Sequence, residues 1–172
     1  VGESVAFLKA AGLRVFVDCE HFFDGYKRNP EFTLRVLEAA ATNGADCLVL
    51  CDTNGGTLPH EVEPIVREVS RHFGSGVQIG IHTQNDSGCA VANSVAAVVG
   101  GVTAVFEMPN TQPLTTSEAT LADKVSRAGG RMHCDFAFWV GGTRENARHV
   151  GELERLPGAA GIKVFMGSST GD

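Results

Sequence analysis

A chain of 172 residues with 43% hydrophobic and 20% charged residues has the composition of one folded domain, not of a disordered segment. Its formal net charge of −6 argues against a nucleic-acid partner, and no apolar stretch approaches the ~18 residues of a membrane span. The scattered cysteines, without any C-x-x-C pair, predict free thiols in a cytoplasmic protein; they are Cys19, Cys47, Cys51, Cys89 and Cys134.

Short β-branched runs alternate with helical patterns along the chain. The predicted strands are 14–18, 46–51, 77–82, 102–108, 132–138 and 161–165. The predicted helices are 3–11, 30–43, 59–73, 89–99, 117–129 and 145–156. This alternation predicts parallel pairing in a single α/β domain over residues 1–172, either a six-stranded partial TIM-like barrel or an open parallel sheet. Unpaired edge strands would offer a surface for a homodimer.

Polar residues follow the second and third predicted strands, where parallel α/β folds place their ligands. Asp52 is a candidate catalytic residue, and Thr53 and Asn54 are candidate substrate-binding residues. The same three residues also suit an ordinary turn and helix cap. His82 is a candidate metal ligand or a hydrogen-bonded core histidine, and Gln84 beside it is a poor metal ligand.

Two further candidates follow the fourth and sixth predicted strands. Asn110 is a candidate substrate-binding residue, although a residue after a proline is commonly part of a turn. Lys163 lies within an apolar strand, where an unpaired ammonium is costly, and is a candidate catalytic residue and metal ligand. The Gly/Ser-rich segment 167–171 could hold an anion through its backbone N–H groups.

Residues 1–97 resemble the citramalate synthase and 2-isopropylmalate synthase family, and segments 18–26, 51–60 and 80–88 carry the resemblance. It implies a barrel that uses a divalent metal to enolise acetyl-CoA and add it to a 2-oxo acid. His82 matches a metal-binding histidine of an H-x-H pair, and Gln84 stands where the second histidine belongs. The Asp-Arg-Glu motif of the family's first strand is absent from this sequence.

Residues 98–172 resemble dihydroorotase, of the amidohydrolase superfamily, through segments 100–111, 131–143 and 161–171. This second resemblance implies that Asn110 contacts a substrate carboxylate. It also implies that Lys163 is carbamylated and bridges two zinc ions. The family's H-x-H pair, two later histidines and catalytic aspartate are absent from this sequence.

The two resemblances meet within 90–100, which predicts a chimeric or designed barrel fragment without complete native activity. Two enzymatic alternatives remain open, metal-dependent condensation of an acyl-CoA with a 2-oxo acid and hydrolysis of a cyclic amide. Either would act on a small molecule and would require a divalent metal such as zinc, manganese or magnesium, whereas the inactive fragment needs none. A hybrid site formed by His82 and a carbamylated Lys163 is a further hypothesis.

Overall fold

A computed structural model describes residues 1–165 and separates the chain into two compact units, Val1–Thr103 and Ala104–Asp172. Among the described residues, helices alternate with parallel strands that form two three-stranded sheets. This arrangement confirms the predicted α/β class and fits a partial barrel. None of the helices within residues 1–165 is long and apolar enough to cross a membrane.

The first unit contains a parallel sheet with the order β1-β2-β3. Its strands are β1 Phe16–Cys19, β2 Cys47–Asp52 and β3 Gln78–Thr83. Its helices are α1 Gly2–Ala10, α2 Phe22–Arg28, α3 Pro30–Thr42, α4 Pro59–Phe73 and α5 Ala90–Gly100. The strands begin and end within two residues of their predicted bounds.

Helix α4 shows how local sequence sets these elements. Pro59 occupies the first helical turn, where its missing N–H costs nothing, and the Glu61 carboxylate accepts a hydrogen bond of 2.8 Å from the N–H of Leu58. Three fully buried valines then recur on one face, and they are Val62, Val66 and Val69. Gly74 ends the helix with a positive φ of 56°.

Helix α2 was not predicted from the sequence. His21 precedes it in the left-handed region with φ 56°, and the helix then buries Phe22, Phe23 and Tyr26. The rings of Phe22 and Phe23 pack edge to face, with centroids 5.2 Å apart. Aromatic packing therefore stabilises a seven-residue helix whose Asp-Gly pair is typical of a turn.

The second unit contains a parallel sheet with the order β4-β5-β6. Its strands are β4 Ala104–Glu107, β5 Asp135–Gly141 and β6 Ala159–Lys163, and its helices are α6 Glu118–Ala128 and α7 Val150–Leu153. Its core forms where α6 and α7 pack on the sheet and consists of Leu121, Phe138, Val140 and Leu153.

The predicted helix 145–156 is wrong in extent, because only Val150–Leu153 is helical. A turn precedes it, in which the N–H of Thr143 donates to Asn146 Oδ1 at 2.8 Å. The buried Asn146 amide also donates to the carbonyls of Thr116 and Gly141 at 2.9 and 2.8 Å. These hydrogen bonds fix the segment as a turn, so helix formation starts late.

Candidate functional site

Three side chains of metal-ligating type lie together on one face of the first sheet. Asp18, Cys51 and His82 each place one ligand atom within 4.8 Å of the other two. Cys51 pairs with His82 across β2 and β3, and Asp18 pairs with Val49, two residues before Cys51. Because side chains alternate along a strand, all three point to the same side, which we call the donor face.

The three groups differ in their access to solvent. Asp18 is exposed, His82 is half-buried and Cys51 is buried with 1% of its surface exposed. Burial, followed by the nearby carboxylates of Asp18 and Glu20, raises the pKa of the Cys51 thiol well above its usual value. The thiol is therefore protonated at neutral pH unless a cation offsets the negative charge.

A divalent cation fits this arrangement. Tetrahedral zinc binds sulfur at about 2.3 Å and nitrogen or oxygen at about 2.0–2.2 Å, which places ligand atoms about 3.3–3.8 Å apart. Ligand atoms already within 4.8 Å of one another reach that spacing through small side-chain adjustments. Carboxylate oxygen, thiolate sulfur and imidazole nitrogen are all established zinc ligands.

The prediction that His82 is a metal ligand is consistent with this geometry but stays untested. Gln84 lies beyond the end of β3 and is exposed. Asp18 and Cys51 were not predicted from the sequence as ligands. The register of the parallel strands is what reveals the site. Cys51 and His82 are far apart in the sequence, and the structure pairs them directly.

Asp52 lies on the opposite side of the sheet from the donor face and is 2% exposed. Its carboxylate accepts hydrogen bonds from the hydroxyl of Thr57 at 2.7 Å and from the N–H of Thr57 at 3.3 Å. The amide of Asn93 donates to the same carboxylate at 3.5 Å and to the carbonyl of Thr57 at 2.8 Å. These contacts favour a role in positioning the turn after β2, and a catalytic role for Asp52 stays a prediction.

Thr53 and Asn54 join the ends of β1 and β2 into a polar rim. The hydroxyl of Thr53 donates to Glu20 at 2.7 Å and accepts a hydrogen bond of 2.7 Å from the N–H of His21. The amide of Asn54 donates to Asp24 at 2.7 Å. This rim lies at the carboxyl ends of the strands, where parallel α/β folds bind their ligands, so both residues stay predicted substrate contacts.

Asn110 and Lys163 both belong to the second unit. Asn110 is half-buried in the loop after β4, and Lys163 ends β6 with its Nζ 5.4 Å from the ring centroid of Phe165. Their predicted roles stay predictions, and so does a hybrid site with His82 of the first unit. The candidate anion-binding segment, residues 167–171, lies outside the described residues.

A polar cluster around Lys124 in the second unit was not predicted. Its ammonium donates to the hydroxyls of Thr111 at 2.6 Å and Thr115 at 2.7 Å, and it lies 3.3 Å from Glu107 Oε2. The hydroxyl of Thr111 in turn donates to Glu107 Oε1 at 2.7 Å. This closed network fixes the loop between β4 and α6. From the sequence, Lys124 looks like part of a solvated helix face.

Comparisons with known proteins place the first unit in a family. Residues 1–107 match the HMGL-like family model. The (R)-citramalate synthase of Streptomyces coelicolor is 54% identical over 105 residues, which are 61% of this chain and 19% of that protein. The (R)-citramalate synthase of Aquifex aeolicus is 51% identical over 151 residues, 88% of this chain and 28% of that protein. The homocitrate synthase of Sulfurisphaera tokodaii is 30% identical over 110 residues, 64% of this chain and 23% of that protein.

A solved structure shares the fold. The apo form of a protein assigned as a deoxyribose-phosphate aldolase from Toxoplasma gondii ME49 aligns with a TM-score of 0.53 at 14% sequence identity. The alignment covers 95% of this chain and 76% of that chain. At this low identity, the match shows similarity of fold alone.

The comparisons bear on the predicted chimera. A match over 88% of this chain extends past residue 97, where the first resemblance was expected to end. Neither the dihydroorotase resemblance nor a junction gains support from the comparisons. The chain spans 18–28% of the length of the citramalate and homocitrate synthases that it matches. Because the family model covers well over half of its residues, the chain belongs to the HMGL-like family.

Proposed function

We propose that this chain is part of a metal-dependent condensing enzyme of the citramalate synthase type. The observation that carries the proposal is identity of about 50% to proteins named (R)-citramalate synthase, over a segment that also matches the HMGL-like family. That segment contains the donor face and the polar rim. Proteins named homocitrate synthase match less closely, at 30% identity. We therefore expect the acceptor to be pyruvate and not a longer 2-oxo acid.

The reaction joins acetyl-CoA to pyruvate. The methyl carbon of acetyl-CoA loses a proton to a base and forms a carbon–carbon bond with the keto carbon of pyruvate. The keto oxygen takes up a proton and becomes a hydroxyl, and water then cleaves the thioester to release coenzyme A. A divalent cation held at the donor face would polarise the keto group as a Lewis acid.

The residues of the rim would bind and orient the 2-oxo acid. Thr53 has its hydroxyl held between Glu20 and the N–H of His21, so its position is fixed before a substrate arrives. Asn54 adds an amide donor beside it. Asp52 acts from the opposite side of the sheet, because its hydrogen bonds with Thr57 hold the turn that carries both residues.

Coenzyme A release from acetyl-CoA and pyruvate tests this proposal on the purified chain. We expect release that depends on a divalent metal, stops with EDTA and is slower with 2-oxoglutarate. Thr53→Val should reduce the rate at least ~10-fold, because it removes the hydroxyl that links Glu20 to the N–H of His21 and so loosens the rim that orients the substrate. Thr42→Val, at the end of α3, is the matched control and should leave the rate unchanged. Absent release, or release that EDTA does not affect, would contradict the proposal.

A further inference from the structure

The donor face combines three different ligand chemistries on three neighbouring strands. Asp18 supplies an oxygen, Cys51 a sulfur and His82 a nitrogen, from β1, β2 and β3 respectively. Within residues 1–165, no hydrogen bond or ion pair joins these three side chains to one another. Their convergence within 4.8 Å therefore has no explanation in mutual pairing.

We propose that Asp18, Cys51 and His82 together bind one zinc ion, through a carboxylate oxygen, a thiolate sulfur and an imidazole nitrogen. The thiolate decides the class of metal. Thiolate ligands favour zinc, whereas magnesium and calcium prefer a shell made of oxygens. The metal is therefore held by residues of three strands. This ligand set does not include Gln84, which stands where the second histidine of the H-x-H pair would be.

Three protein ligands leave one tetrahedral position open, which is the arrangement of a catalytic zinc site. Cys51 lies at the buried base of the donor face, and the exposed Asp18 marks the side that faces solvent. The open position is thus accessible from solvent to water or to a small oxygen ligand. In this arrangement the ion can act as a Lewis acid on a bound carbonyl.

The donor face is closely packed one step below Cys51 and His82, around Gly80. Gly80 pairs with Val49 one step below Cys51 and His82. A Cβ added at Gly80 would lie 3.2 Å from both Cys47 Sγ and Val49 Cγ2. A side chain at Gly80 would therefore press on Cys47 and Val49, and the direct pairing of β2 with β3 holds Cys51 and His82 side by side.

Cobalt titration of the purified chain tests the proposed ligand set without any substrate. We expect one Co²⁺ per chain and a thiolate-to-cobalt charge-transfer band, which zinc abolishes by displacement. Cys51→Ser should remove the band and weaken metal binding by more than ~100-fold. Residues that only hydrogen-bond to a ligand already contribute ~10–100-fold. Cys47→Ser is the matched control, because Cys47 lies on the same strand and face but outside the site, and it should retain the band.

Asp18→Asn and His82→Ala should also weaken metal binding, with Asp24→Asn and His133→Ala as their controls. Binding that survives both Cys51→Ser and Asp18→Asn but is lost in His82→Ala would overturn the proposal, since it would place the metal on His82 with other ligands. Absence of binding by the wild-type chain would overturn it as well.

X-ray absorption of the zinc-loaded wild-type chain gives a second test that needs no variant. We expect one sulfur at about 2.3 Å and nitrogen or oxygen ligands at about 2.0–2.2 Å. A shell of nitrogen and oxygen alone would overturn the proposal. Both measurements are made without substrates, so a zinc-loaded chain that fails to release coenzyme A would refute the proposed function and leave this site standing.

Discussion

The two units each gather polar side chains near their strands, but the two clusters differ in how they are satisfied. In the second unit, Lys124 forms hydrogen bonds with Thr111 and Thr115 and an ion pair with Glu107, and Thr111 also donates to Glu107. In the first unit, the donor face brings together groups that coordinate cations and that do not pair with one another within the described part of the chain.

The presence or absence of a cation within the cluster distinguishes a structural cluster from a binding cluster. A buried cation whose partners are already in place has no capacity for another ligand, and its removal affects stability. A set of convergent carboxylate, thiol and imidazole groups lacks an internal cation, and its properties change when one is supplied. Variants in the two units should therefore affect different measurements.

The largest stability effect is expected at the structural cluster. Lys124→Met removes the cation that Glu107, Thr111 and Thr115 share, and we expect the free energy of unfolding to fall by about 3 kcal/mol. Chemical denaturation measures this loss. Arg127→Met is the matched control, because the pair of Arg127 with Asp123 is exposed, and it should change the free energy by less than about 1 kcal/mol. Equal effects of the two variants would refute a structural role for the cluster.

The next effect separates two adjacent residues on opposite sides of β2. Asp52→Asn places an amide among the donors of Thr57 and Asn93, and we expect a loss of about 1–3 kcal/mol in the free energy of unfolding. Zinc affinity should be unchanged, because Asp52 points away from the donor face. Cys51→Ser should show the reverse pattern, with a large loss of zinc affinity. Parallel losses of affinity in both variants would contradict the assignment of the two residues to opposite faces.

The smallest effect concerns acid stability in the first unit. A hydrogen bond from Lys9, followed by one from the N–H of Val15, holds the pKa of Asp46 below its usual value of 3.8. A lowered pKa stabilises the fold above the unfolded-state value, and this contribution is lost as pH falls through the folded-state value. Asp46→Asn should therefore be less stable than wild type above about pH 5, and the difference should vanish in strong acid.

Denaturation of both proteins between neutral and acid pH measures this difference. Glu31→Gln, at an exposed position in the first turn of α3, is the control and should follow the wild-type curve. A stability gap between wild type and Asp46→Asn that persists in strong acid would show that the aspartate acts by another mechanism.

The sequence allowed most of the fold to be predicted where local signals were strong. Helix α4 has its predicted bounds because Pro59 and Gly74 mark both ends. Helix α2 was missed because its stability comes from the burial of Phe22, Phe23 and Tyr26 against the rest of the unit. Helix α7 is shorter than predicted because Asn146 forms hydrogen bonds with distant carbonyls. Tertiary contacts decided both elements, and local patterns do not report them.

The candidate site was predictable only in part for a related reason. His82 could be singled out because a polar residue at the end of an apolar strand is unusual, and a resemblance gave it a role. Cys51 was predicted only to be a free thiol, and its partnership with His82 depends on strand register. Asp18 joins them from a third strand. A ligand set distributed over three segments becomes visible only when the sheet is formed.

The central claim is that the donor face is a cation site, and the metal content of the purified chain tests it most directly. The chain is loaded with zinc, dialysed against metal-free buffer and measured by mass spectrometry, with Cys51→Ser and Cys47→Ser treated identically. We expect one zinc per chain in wild type and Cys47→Ser, and a loss of zinc in Cys51→Ser. Zinc at the same level in all three proteins, or in none of them, would contradict the claim.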